Sequence, residues 1–161
     1  MKFYLFSSAE IKPDWLSRKI MKYLKCDYSH IGVIVEHEGH SAIYHSTGEA
    51  VNLKYMDSFM TDHILVHKID ITKHIIDLQF AHGWCEGSIG KDYSESQYLG
   101  LIFPWLKNLS GDGRSEMICS EFGARFIDEC TTIPSFDRTN CDFIDPKVCI
   151  ETLQNYLKEY V

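Results

Sequence analysis

Residues 29–46 read SHIGVIVEHEGHSAIYHS, and this stretch restricts the folds open to the chain more than any other. Its first eight residues are rich in β-branched side chains, which suit a pleated strand packed in a core. Glu38 and Gly39 supply a two-residue turn, and SAIYHS follows as the hairpin partner. With that turn, His37 pairs with His40, Glu36 with Ser41, Gly32 with His45 and His30 with Thr47. Alternation puts His30, Gly32, Ile34 and Glu36 on one face of the first strand, and Ile31, Val33 and Val35 on the other. Opposed residues share a face, so His45 becomes a diagonal neighbour of His30, about 7–8 Å away at the backbone. A slip of one residue brings Tyr44 or Ser46 to that face instead. Gly32 leaves space beside His30, as a strand needs where another backbone or a ligand approaches closely.

The remaining patterns place this hairpin in a mixed architecture. Strands are expected over 2–7, 50–53 and 62–70, and a helix over 14–25, where Trp15, Leu16, Ile20 and Leu24 recur at helical spacing. Thr72 is expected to cap a helix over 73–87. A second helical stretch, 95–108, is perturbed by Pro104. The loop LSGDGRS leads to a helix over 119–130, and Asp145-Pro146 opens the last helix as cap and first-turn proline. A β-rich first half and a helical second half predict an α+β fold, a small antiparallel sheet packed against helices. Residues 1–161 are read as a single domain, large enough to bury a proper core.

Charge and cysteine usage narrow the function. The net charge of -7 gives no basic footprint for nucleic acid and no general attraction to anionic lipid. The apolar run Phe3 to Phe6 is too short for a signal-peptide core, and no run of about 18 apolar residues predicts a membrane span. Six cysteines occur at 26, 85, 119, 130, 141 and 149 without a CxxC pair, so reduced thiols and a cytoplasmic location are expected. Eight histidines without HExxH or a Cys/His pairing leave no metal site, and no cofactor motif appears. His37 and His40 flank a turn, His63 and His67 are read along one face of a strand, and His74 and His82 fall in helical sequence.

Cys119 stands where the glycine-rich loop runs into a helix. Phe122, Gly123, Phe126, Ile127 and Cys130 form an apolar stripe beyond it. The first turn of a helix carries unpaired N–H groups and a positive dipole end, both of which lower a thiol pKa from about 8.5. The backbone N–H of Cys119 is also placed to serve an oxyanion hole. The expected site is Cys119 as nucleophile, His30 as base and His45 as the residue that orients the base. The other five cysteines lack this setting and are read as structural.

The strand SHIGVIVE ahead of a helix opening Cys-Ser-Glu-Phe resembles the permuted papain-like fold of the NlpC type. Within that fold it looks like the YiiX-like branch, with the lecithin:retinol acyltransferase-like enzymes as cousins. The resemblance covers most of the chain, from the opening strand and helix through GKDYS to the closing Asp-Pro helix. It implies Cys119 as nucleophile and His30 as base. It also implies a third polar residue on the next strand, where His45 falls, and it matches Tyr93 only loosely. The acyltransferase cousins carry Asn-Cys-Glu-His-Phe and a hydrophobic anchor. This chain has Ile118-Cys119-Ser120-Glu121-Phe122 and no anchor, which favours the YiiX-like side and a cytosolic or phage-encoded enzyme. The implied activity is cysteine hydrolysis of an amide, whether peptide, cell-wall or isopeptide. The alternatives are a thioesterase or lipid acyltransferase, with Trp84, Leu101, Phe103 or Trp105 along a groove, and a non-catalytic binding module. The expected partner is a peptide-like or acyl substrate. Neither the substrate nor the oligomeric state is fixed by sequence.

Overall fold

The computed structural model describes residues 1–92, 117–134 and 144–159. The chain builds five strands before residue 71: β1 (Lys2–Glu10), β2 (His30–His37), β3 (His40–Ser46), β4 (Val51–Tyr55) and β5 (His63–Asp70). Helix α1 (Trp15–Leu24) lies between β1 and β2, and the one-turn α2 (Met56–Phe59) between β4 and β5. Helices α3 (Leu78–Ser88), α4 (Cys119–Cys130) and α5 (Pro146–Glu159) follow. This is a mixed α+β arrangement around one antiparallel sheet in the order β4-β3-β2-β1-β5. The segment 95–108, the loop 109–115, Tyr93 and Cys141 fall outside the described residues.

The hairpin folds in the expected register. His37 pairs with His40, Glu36 with Ser41 and Gly32 with His45. Glu38 and Gly39 both take positive φ, 50° and 82°, as the right-handed strand twist demands of a two-residue turn. The ladder stops at Gly32 and His45: Thr47 instead closes a turn on Ala50, and the residue opposite His30 is Ser8 of β1.

The sheet is buried on both faces. Phe3 and Leu5 of β1 and Ile31, Val33 and Val35 of β2 join Phe122, Phe126 and Ile127 of α4 and Ile150 of α5 in the larger core. Phe6, Ile34 and Ile43 meet Phe59 of α2 on the other face. Helix α4 packs directly on β2 and lies against α3 and α5. Its first turn buries Glu121 completely, and Arg125, one turn on, binds that carboxylate at 2.6 Å.

Two local expectations are corrected. Thr72 does not cap a long helix: its hydroxyl bonds the backbone of Phe3, and residues Thr72–His74 make only a 3-10 turn. Ile75 then bridges Thr131, so helix formation waits for Asp77, whose side chain accepts from the N–H of Phe80 at 2.8 Å. In α1, Trp15 is 64% exposed while Ile20 is buried, so the apolar stripe is narrower than its spacing suggests.

Candidate functional site

The strand ends that converge at one edge of the sheet build the site. His30 is the first residue of β2, His45 and Ser46 end β3, Glu10 ends β1 and His63 starts β5. A cavity of about 230 Å³ at this edge is lined by His30, His45, His63, Lys54 and Cys119, with Glu10, Asp14 and Ser17 on the side of α1.

His30 Nε2 and His45 Nδ1 lie 2.8 Å apart, with the rings edge to face. Gly32 beside them leaves room for close packing. A Cβ placed there would come within 2.5 Å of the Tyr44 carbonyl and 2.7 Å of the Phe6 ring. Phe6 thus packs over the glycine and beside His30. His45 is 1% exposed, and its ring also meets Phe59 edge-on at 5.2 Å.

Cys119 approaches from the α4 side of the sheet. Two contacts hold the segment ahead of it: Met117 N–H donates to the Asp92 carbonyl, and the Ser46 hydroxyl donates to the Met117 carbonyl. The second bond fixes the start of α4 to the residue next to His45. The Cys119 sulfur then sits against the backbone on either side of His30. Its thiol points at the Ser29 carbonyl at 3.9 Å, and the N–H of Ile31 acts to favour the thiolate. No hydrogen bond joins Cys119 to His30 among the described residues.

The electrostatics differ from the expectation of a depressed thiol pKa. Burial pushes the Cys119 thiol up to about 11, against the opposing pull of the N–H groups of Ile31, Ser120 and Cys119 itself. The helix start does favour the thiolate, but desolvation of a residue only 6% exposed is the larger effect. Burial also holds His30 well below 6.5, helped by the charges of His45, His63 and Lys54. His45 is lowered to about 4, again chiefly by burial. At neutral pH the resting site is therefore a neutral thiol beside two neutral imidazoles.

Sequence reasoning missed His63 and its neighbours. The register of β1 against β5 skips between Ser7 and Ser8, so that Ser7 faces His67 while Ser8 faces Leu65. Val66 is the extra residue of a β-bulge, and the bulge sends His63 and His67 to opposite faces. His67 bonds Ser7 and meets Tyr28 in the larger core, whereas His63 stacks on Phe59 at 4.2 Å and joins the cavity. Asp62 binds His63 Nδ1 at 2.6 Å, and Lys54 lies 3.7 Å from the same carboxylate. The adjacent pair Asp62-His63 was visible in the sequence, but the bulge that aims it was not.

Trp84 does not line the cavity. It packs on Phe122 and Phe126 and donates to Glu129 at 2.7 Å. Leu101, Phe103 and Trp105 lie outside the described residues. Among the described residues no helix is long and apolar enough to cross a membrane, and no group of three His, Cys, Asp or Glu is arranged to hold a metal ion. No protein-family model matches the chain, and no curated protein matches it.

Proposed function

We propose that this chain is a thiol hydrolase of amide bonds on a permuted papain-like scaffold, with Cys119 as nucleophile, His30 as base and His45 as the residue that orients the base. The observation that carries this reading is the 2.8 Å bond between His30 Nε2 and His45 Nδ1 in a cavity that Cys119 also lines. That bond occupies Nε2 and leaves His30 Nδ1 for the thiol. With the proton of the shared bond on His30 Nε2, Nδ1 carries the lone pair a base needs.

The reaction begins from the neutral pair. The thiol proton moves to His30 Nδ1 as the sulfur attacks the substrate carbonyl, and the imidazolium is held through Nε2–H donating to His45. The carbonyl electrons move to oxygen, and backbone N–H groups at the start of α4 stabilise that oxyanion. Collapse of the tetrahedral intermediate breaks the C–N bond, and the amine leaves with the proton from His30. His30 then takes a proton from water, hydroxide attacks the thioester, and the carboxylic acid departs as the thiol is restored. Generating the thiolate only during attack suits a buried sulfur whose pKa is about 11.

The cavity also favours a small polar acyl group over a lipid chain. Its volume of about 230 Å³ lies below the usual range for sites that hold drug-sized apolar ligands. Glu10, Asp14, Ser17 and Lys54 place polar groups in a wall that is otherwise largely apolar. The test is a panel of small peptide anilides, isopeptides, thioesters and long-chain esters assayed with wild type and Cys119→Ala. The expected result is turnover of short polar amides that Cys119→Ala abolishes. Turnover that survives in Cys119→Ala, or turnover confined to thioesters or long-chain esters, contradicts the proposal.

A further inference from the structure

The net charge of -7 argues against a general attraction to anionic surfaces, but the charge is unevenly placed. Residues 11–25 read IKPDWLSRKIMKYLK and carry five cations, Lys12, Arg18, Lys19, Lys22 and Lys25, against one anion, Asp14. Asp14 serves the helix start, where its carboxylate accepts from the Ser17 N–H at 2.6 Å. All five cations are exposed. Among the described residues, the ion pairs of Lys and Arg use Lys54, Lys68, Arg125 and Lys147 instead. The helix dipole favours cations in the last turn, which accounts for Lys22 but not for Arg18 or Lys19.

Two aromatic side chains stand among these cations. At 3.6 residues per turn, Arg18, Lys22, Trp15, Lys19 and Tyr23 follow one another around an arc of about 140°. Trp15 is 64% exposed and Tyr23 57%. Lys19 Nζ lies 5.6 Å from the Trp15 ring centroid, within cation–π range. Ser17 and Ile20, on the other side of α1, line the cavity, and Ile20 is buried. The basic and aromatic face is therefore not the side that holds the helix on the protein.

We infer that this face of α1 is a docking surface for an anionic phospholipid bilayer, with Arg18, Lys19 and Lys22 on the headgroup charges and Trp15 and Tyr23 in the headgroup layer. Charge complementarity is the first ground. A bilayer offers a plane of negative charge, and each Lys or Arg near it strengthens binding about fivefold. The second ground is the choice of aromatics. Trp and Tyr have an apolar body and a polar edge, and they settle at the headgroup level of a membrane. A plane can touch the whole arc, whereas a convex helix face gives no groove to an extended peptide or a single strand. The contact is peripheral, because the 10 residues of α1 are too few to cross a bilayer. Docking through α1 also holds the cavity beside the membrane surface, since Ser17 and Ile20 belong to both. The inference needs no role for Cys119 and stands apart from the proposed chemistry.

The test is flotation of the full chain with vesicles of phosphatidylcholine alone, and of equal parts phosphatidylcholine and phosphatidylserine, at low and high salt. Wild type is compared with Arg18→Glu/Lys19→Glu/Lys22→Glu, with Trp15→Ala, and with Lys73→Glu as a control at another exposed lysine. Thermal melts check folding. The expected result is binding to the phosphatidylserine vesicles alone, weakened by salt. The triple variant should bind about 100-fold more weakly, Trp15→Ala should also bind more weakly, and Lys73→Glu should match wild type. Fluorescence serves if the triple variant does not fold: the emission that wild type has and Trp15→Phe lacks should shift to the blue on vesicle addition. Wild type that binds neither vesicle, or both equally, overturns the inference. So does binding unmoved in the folded variants, or Trp15 emission unmoved by vesicles. Tighter binding to a single-stranded oligonucleotide or to polyglutamate than to the vesicles overturns it as well, and assigns the face to that partner.

Discussion

His30 commits one ring nitrogen to His45, and the proposed mechanism uses the other. Replacing His30 by Ala should slow acylation of Cys119 by about 10²–10⁴-fold, the usual contribution of a general base. His45→Ala should slow it less, because the base survives but loses its aim. Rates with an activated ester and a chromogenic leaving group measure both. Gly32→Ala should destabilise by about 1–3 kcal/mol, because the added methyl meets the Tyr44 carbonyl and the Phe6 ring. Chemical denaturation of the variant checks this. Gly32 and His45 were legible in sequence because a two-residue turn fixes the pairing of the strands it joins, whereas the expected pairing of His30 with Thr47 lies past the point where that ladder ends. The thiol pKa of Cys119 was not. The helix-start N–H groups are local and readable, whereas the burial that outweighs them comes from the packing of α4 on the sheet.

Elements matter through the two devices that aim them. The Ser46 hydroxyl ties the end of β3 to the Met117 carbonyl just ahead of α4. Ser46→Ala leaves that carbonyl without this donor, at a cost of about 1–3 kcal/mol. It should also lower the acylation rate more than stability alone explains, because Cys119 loses its fixed distance from His45. Comparing the variant's melting curve with its rate well below the melting temperature separates the two effects. The second device is the β-bulge at Val66, which puts His63 rather than a core-facing side chain into the cavity. Strand β5 itself could be read from its residues, but a bulge has no comparable signature, so His63 and His67 were placed on one face. Thr72 was misread for a related reason. It has the chemistry of a cap, yet its hydroxyl is engaged by Phe3 of β1, a partner 69 residues away.

The molecule as a whole keeps two imidazoles neutral inside a sheet, and this makes its stability pH-dependent. His45 takes up its proton near pH 4 in the folded chain and near 6.5 when unfolded. His30 is lowered as well. Between about pH 6.5 and 4 the unfolded chain binds protons that the native state refuses, so stability falls as pH falls. For His45 alone the loss is about 3 kcal/mol across that window. Denaturation midpoints at pH 7 and pH 4.5 should show the drop, and His45→Gln should reduce it. In the proposed mechanism the same burial keeps the Cys119 thiol protonated until His30 removes its proton during attack. The most direct test is the acylation rate of Cys119 at pH 7.5 by p-nitrophenyl acetate, with intact-mass assignment, in wild type and His30→Ala. A thioester on Cys119 that forms at least about 100-fold more slowly without His30 is the predicted result. Equal rates in the two proteins, or acylation at a residue other than Cys119, would contradict the account.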